Sequence, residues 1–154
     1  MHLINLDVYT AIAQIKVYES PKADALVSPL SGCVPLEVNF TSLATNYRYG
    51  VWYFGNGDSS ESDNDTYTYD AIGSYIPSFI IYGNAACTDT FILPSTIDVF
   101  PNPVADFTFD TEKVITTFTN YSTLANTYLW EFGDGETSIL DNPVHTFPNS
   151  SIFN

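Results

Sequence analysis

The chain has 154 residues, 45% hydrophobic and 16% aromatic, which is enough apolar material for a core in one or two domains. Its charge is lopsided: four Lys+Arg stand against eighteen Asp+Glu, for a formal net charge of −14. Such a surface repels phosphate backbones and anionic lipid and so argues against nucleic-acid and membrane-surface binding, and no apolar run approaches the roughly 20 residues of a membrane span.

The first residues, Met1-His2-Leu3-Ile4-Asn5-Leu6-Asp7, lack the basic start and long apolar stretch of a signal peptide, so any export signal is expected outside this sequence. Further on, Leu36, Val38 and Phe40 alternate with Glu37, Asn39 and Thr41, the pattern of a half-buried strand. Trp52 and Phe54 share one face of the next strong strand. Gly55-Asn56-Gly57-Asp58 then turns the chain, and its Asn-Gly pair predicts a type I′ hairpin with φ > 0 at both central residues. Tyr75, Pro77, Phe79 and Ile81 share a face; Pro77 removes a ladder donor, so a bulge or local edge is expected there. Thr96-Ile97-Asp98-Val99-Phe100 reads as a further strand, and Val114-Ile115-Thr116-Thr117-Phe118-Thr119 has almost no helical alternative. Nine prolines and eight glycines punctuate these strands at short intervals, as turns in an all-β chain do.

The chain also repeats itself. Trp52-Tyr53-Phe54-Gly55-Asn56-Gly57-Asp58-Ser59-Ser60 returns 78 positions later as Trp130-Glu131-Phe132-Gly133-Asp134-Gly135-Glu136-Thr137-Ser138. At that offset Phe40-Thr41 becomes Phe118-Thr119, Tyr67-Thr68-Tyr69 becomes His145-Thr146-Phe147, and Tyr75 becomes Phe153. A second block, offset by 82, matches Ile15-Lys16-Val17-Tyr18 to Ile97-Asp98-Val99-Phe100, and Pro21-Lys22-Ala23-Asp24 to Pro103-Val104-Ala105-Asp106. The expected map is therefore the last strands of a preceding repeat over residues 1–20, a complete repeat over 21–100 and an incomplete one over 101–154. On that map Met1 is expected not to be a true initiator, and the sequence is expected to be a piece of a longer one. The short proline-bearing linkers, Glu19-Ser20-Pro21 and Pro101-Asn102-Pro103, predict a semi-rigid rod.

Asp70-Ala71-Ile72-Gly73-Ser74-Tyr75 fits the tyrosine corner of immunoglobulin-type sandwiches, in which a Tyr hydroxyl bonds back to nearby backbone. The fold class expected is all-β, in tandem immunoglobulin-like β-sandwich repeats. Together these motifs resemble the PKD (polycystic kidney disease) domain family, whose hallmark is Trp-x-Phe-Gly-Asp-Gly followed by Tyr-x-x-x-Gly-x-Tyr. Trp130, Phe132, Gly133, Asp134 and Gly135 match the first in full; Trp52, Phe54, Gly55 and Gly57 match it with Asn56 for Asp. Tyr69 to Tyr75 matches the second, whereas Phe147 to Phe153 matches it loosely, with Phe for both Tyr and Ser151 for Gly. The resemblance implies a sandwich outside the cell. Ser31-Gly32-Cys33-Val34-Pro35-Leu36 and Cys87-Thr88-Asp89 look like versions from Bacteroidota surface proteins, including gliding-motility adhesins exported by the type IX system.

The spacing of Cys33 and Cys87 alone allows a bridge or two buried thiols; in an exported sandwich the resemblance favours a disulfide, whose loop of about 53 residues contributes on the order of 4 kcal/mol. Trp52 and Trp130 are offered as core residues in preference to sugar platforms. Asp58, Glu61, Asp63 and Asp65, with Asp24 and Asp106 near the junctions, are weak Ca²⁺ candidates without a complete calcium loop. Asn39, Asn64, Asn120 and Asn149 begin sequons of the kind expected by chance in a Ser/Thr-rich chain. His145 is expected to fill a strand-end position, and no catalytic set, zinc set or phosphate-cradling loop is assembled. The expectation is a non-enzymatic structural or adhesive module of a long cell-surface adhesin or stalk, without a cofactor unless calcium. Its partners are neighbouring repeats of the same chain and an extracellular protein or glycan ligand. The alternative is an accessory polymer-binding module of a secreted protease or polysaccharide hydrolase, for which Tyr47, Tyr49, Tyr53 and Tyr82 are the outward-facing candidates. A eukaryotic receptor ectodomain is a third reading, which the cysteine pattern disfavours.

Overall fold

A computed structural model describes residues 14–148. Among them the chain is built of strands and turns, with one short 3-10 segment at Asn84–Ala86. The strands are β1 (Ala25–Ser28), β2 (Ser31–Cys33), β3 (Leu36–Ser42), β4 (Tyr49–Tyr53) and β5 (Ser59–Ser60). They continue as β6 (Asn64–Tyr69), β7 (Gly73–Tyr75), β8 (Ser78–Tyr82), β9 (Thr88–Ile92) and β10 (Ile97–Phe100). The last are β11 (Phe107–Glu112), β12 (Ile115–Asn120), β13 (Trp130–Glu131), β14 (Thr137–Ser138) and β15 (Val144–Thr146). Contacts divide these residues into two compact units, one of 14–30, Val38–Tyr67 and Tyr75–Ile97, the other of Ser31–Glu37, Thr68–Ser74 and 98–148.

The first unit has two sheets, ordered β1-β3-β6 and β5-β4-β8-β9. Strand alternation sets their inner faces: Val38 and Phe40 on β3, Gly50 and Trp52 on β4, and Phe79 and Ile81 on β8 are buried, while the residues between them turn outward. Phe40 meets Trp52 edge-on at 5.1 Å and Phe54 at 5.0 Å, and Trp52 stacks on Phe79 at 4.3 Å. Each such pair contributes about 0.5–1.5 kcal/mol beyond its buried area. A Cβ on Gly50 would stand 2.3 Å from the Phe79 ring, so the glycine makes room for the ring beneath β4. Pro77 is buried in the break between β7 and β8, where its carbonyl accepts the Leu93 N–H at 3.0 Å. The donor that proline lacks therefore falls where the ladder is interrupted.

In the second unit β2 runs parallel to β10, with Val99 opposite Gly32, in the order β2-β10-β7. The same unit carries the sheet β11-β12-β15 and the two-stranded β13-β14. Phe118 on β12 lies 5.3 Å from both Trp130 and Phe132, and Phe107 meets Trp130 edge-on at 5.2 Å. Every residue of β11 is exposed, and Thr116, buried on β12, shares a 2.9 Å hydroxyl bond with Thr111. Residues 1–13, Asn149 and Phe153, which carried parts of the repeat and sequon expectations, lie outside the described residues.

Candidate functional site

The two hairpin turns hold most of the side chains with chemistry, and they are built alike. In each, the residue after the first glycine closes its own turn: Asn56 Oδ1 accepts the Asp58 N–H at 3.1 Å and Asp134 Oδ1 accepts the Glu136 N–H at 3.1 Å. Backbone bonds seal them, Phe54 N–H to Asp58 O at 3.1 Å and Phe132 N–H to Glu136 O at 3.2 Å. Positive φ falls on the flanking glycines, Gly55 (84°) with Gly57 (106°), and Gly133 (81°) with Gly135 (99°). This corrects the expected type I′ turn, since Asn56 and Asp134 keep negative φ. A side-chain oxygen that bonds two residues ahead supplies the turn from an ordinary conformation and leaves the left-handed region to glycine.

A flat ring with a polar tip then covers each turn. Tyr67 stacks on Phe54 at 4.0 Å and 13°, and its hydroxyl donates to Asp58, while Asn56 Nδ2 donates to the same hydroxyl at 2.7 Å. His145 stacks on Phe132 at 4.1 Å and 6°, with Phe147 edge-on at 4.6 Å and its Nε2 at 2.7 Å from Asp134 Oδ2. The histidine side chain is 12% exposed and the carboxylate 5%. The hydrogen bond from His145, with help from the Glu136 N–H, holds the Asp134 carboxyl below its ordinary value of 3.8. A His–Asp pair invites a catalytic reading. Tyr67, at the place equivalent to His145, meets Asn56, the counterpart of Asp134, as well as Asp58, so the geometry serves the turn with either ring.

The correspondence continues away from the turns. Asn64 Oδ1 accepts the Ser42 N–H at 3.1 Å, and Asn142 Oδ1 accepts the Asn120 N–H at 2.9 Å. Leu43 N–H reaches Asp24 O at 2.9 Å, as Tyr121 N–H reaches Asp106 O at 2.8 Å. Lys22 bridges to Thr45 as Val104 does to Thr123. The indole N–H of Trp52 bonds to Asp63 O at 3.3 Å and that of Trp130 to Leu140 O at 2.8 Å. Both tryptophans thus face inward with a satisfied donor.

In sequence, no protein-family model and no curated protein matches the chain. In structure it resembles a chain solved in a study titled "Structural basis for the promiscuous specificity of the carbohydrate-binding modules from the beta-sandwich super family". Identity there is 22% and the TM-score 0.50, over 68% of this chain and 56% of that one. The PKD1 domain of Vibrio anguillarum Epp is 20% identical, with a TM-score of 0.45 over 54% of this chain and 99% of that one. The PKD1 domain of the Vibrio cholerae metalloprotease PrtV is 23% identical, with a TM-score of 0.45 over 51% of this chain and 98% of that one. The fold is an all-β sandwich. This chain spans little more than half the length of the carbohydrate-binding-module chain it resembles.

The remaining expected sites are distributed differently from the sequence reading. Cys33 and Cys87 are free, exposed thiols, so the expected disulfide is corrected. Each is held by its own backbone: Cys33 sits opposite Phe100 in the β2–β10 ladder, and the Cys87 N–H closes the 3-10 segment on Asn84 O at 3.1 Å. Among the described residues no three acidic, His or Cys side chains converge on a metal-sized site. Asp58 is engaged by Tyr67 and Asn56, Asp63 offers its carbonyl to Trp52 and Ser42, and Asp65 caps the Thr66 N–H at 2.8 Å. With Glu61 ahead of β6, the four candidates Asp58, Glu61, Asp63 and Asp65 do not gather around one point. Gly55 and Gly57 lie in the turn, and Tyr75 closes β7 half-buried. Sequence reading missed Asp89 as an anchor: its carboxylate accepts the Ala23 N–H at 2.8 Å and the Thr90 N–H at 2.9 Å. Those two bonds lower its pKa from 3.8, and they pin the segment before β1 to β9.

Proposed function

We propose that the chain is a non-enzymatic structural and adhesive module that works outside the cell. The observation that carries this reading is the matched pair of turns, where the acid, the amide and the polar-tipped ring are committed to one another and to closing the turn. Groups engaged in that way are not poised to move protons for a substrate, and the swap of Tyr67 for His145 at one geometry is what a structural socket tolerates. The finer reading is a stretch of a long cell-surface adhesin or stalk, with repeats over 21–100 and 101–154 and a preceding one ending near residue 20. It rests on the sequence resemblance to PKD domains, and the gliding, type IX-exported class of adhesin is its most specific form. Among the described residues no helix is long and apolar enough to cross a membrane.

The second reading is an accessory module of a secreted protease or polysaccharide hydrolase, favoured by the exposed tyrosines of the β4–β8 face. The mass and peptide map of the native polypeptide, run with and without reduction, separates the two. A very large product rich in similar repeats and without a catalytic domain supports the adhesin; a modest chain carrying a hydrolase domain sinks it.

A further inference from the structure

The outer face of the sheet β5-β4-β8-β9 has a composition unlike the rest of the molecule. Strand registers place its residues in three rows: Tyr49, Tyr82 and Thr88; Val51, Ile80 and Thr90; Ser59, Tyr53, Ser78 and Ile92. None of these ten carries a charge, in a chain whose formal net charge is −14. Tyr49 and Tyr82 lie parallel, 4.7 Å apart at 9°, with Tyr49 54% and Tyr53 42% exposed. Ile92, at 63%, extends the apolar surface to the sheet edge, and half-buried Val51 and Ile80 form its floor.

The fold does not require these tyrosines. In the second hairpin the residues 78 positions later than Tyr49, Val51 and Tyr53 are Thr127, Leu129 and Glu131, while the inward Trp and Phe are kept. Aromatic rings that packing does not demand, gathered on one flat exposed face, mark a contact surface.

The chemistry of the face narrows what it fits. Tyrosine rings offer a negative π face to C–H groups and a hydroxyl at the rim, and serine and threonine hydroxyls stand around them. An acidic polymer would be repelled by the surrounding charge, and a basic one would find no carboxylate on the face itself. Tyr49 and Tyr53, four residues apart on β4, are about 13 Å apart along the strand, long enough to meet successive units of a polymer. We infer that this face binds a neutral, extended polysaccharide, whose sugar rings lay C–H surfaces on Tyr49, Tyr53 and Tyr82 and exchange hydroxyl hydrogen bonds with Ser78, Thr88 and Thr90. The inference goes beyond the structural role and rests on the tyrosines that favour the accessory-module reading; the native mass and peptide map tests that reading, whereas glycan binding by this face is tested on the chain alone and is compatible with an adhesin as well.

Native affinity electrophoresis of the full chain tests it, with gels containing hydroxyethylcellulose, galactomannan, polygalacturonate or gelatin. Retardation by a neutral glycan is expected, with at least a fivefold weaker effect in the double variant Tyr49→Thr/Tyr53→Thr and none of that loss in Tyr121→Ala, an exposed tyrosine elsewhere. Unchanged thermal unfolding of the double variant keeps the comparison valid, and the single variant Tyr49→Thr, which copies the second hairpin, serves should the double one misfold. Three results would overturn the proposal: no retardation by either neutral glycan, retardation untouched by the tyrosine substitutions, or retardation confined to polygalacturonate or gelatin.

Discussion

The two hairpins reach one geometry with different side chains and different surroundings. Around the first, Trp52 is sandwiched by Phe40 and Phe79 and has no exposed surface; around the second, Trp130 is half-buried among Phe118 and Phe107. The turns themselves hardly notice, and keep the same seals, the same glycine conformations and a polar-tipped ring at the same place, although that ring bonds Asp58 in the first and Asp134, the counterpart of Asn56, in the second. What this teaches is a division of labour. The turn is specified by local hydrogen bonds, and its contribution to stability is decided by how completely the strands behind it are covered.

The sharpest way to break the comparison is to remove the tryptophans. Trp52→Ala empties a fully buried site and is expected to cost about 3–5 kcal/mol, while Trp130→Ala, already partly wet, costs clearly less by chemical denaturation. Equal losses would show that coverage does not set the difference. Gly50→Ala is next, at about 1–3 kcal/mol by overpacking against Phe79. The turn glycines are then separable. A Cβ at Gly55 meets Ile76 backbone at 2.9 Å and is also strained by φ of 84°, whereas one at Gly57 finds open space and only the strain. Gly57→Ala should therefore cost about 1–2 kcal/mol, and Gly55→Ala visibly more.

Smaller effects sharpen the contrast between the two rings. Tyr67→Phe loses the hydroxyl between Asn56 and Asp58 and is expected to cost about 1 kcal/mol. The second turn answers to acid. Because the Asp134 carboxyl is held below 3.8 in the folded chain, its contribution is complete above about pH 4 and is lost as pH falls through the lowered value. Asp89 contributes with the same sign over the same acid range, through the Ala23 and Thr90 N–H groups. Thermal unfolding followed from pH 6 to pH 2 should fall less steeply in Asp134→Asn and in Asp89→Asn than in the parent, although each variant starts from lower stability at pH 6. Parallel curves would remove both carboxylates from that account.

Much of this architecture was legible beforehand. Alternation on β3, β4 and β8 placed Val38, Phe40, Trp52, Phe79 and Ile81 inside, because a half-buried strand has no other way to orient side chains two apart. Turn detail was less so: Asn-Gly signals a bend, but which residue takes positive φ depends on whether the Asn side chain closes the turn itself. Long-range polar contacts were invisible, as the Asp89 anchor joins residues 66 positions apart. The disulfide was expected from the family resemblance, spacing alone leaving bridge and free thiols open, and the structure has both thiols free and exposed. The His145–Asp134 pair has a readable signal, a polar-tipped ring and a turn-closing side chain recurring in register with Tyr67 and Asn56, but register alone does not show that the ring reaches the acid.

The socket over each turn accepts a phenol or an imidazole, and an amide or a carboxylate beneath it, without moving the backbone. Letters at those positions are thus free to drift while the bonding pattern persists. Kinship between such segments is written more durably in which N–H meets which oxygen than in residue identity. Distant copies would be found sooner by matching a polar-tipped ring eleven positions beyond an Asn or Asp than by matching the residues themselves.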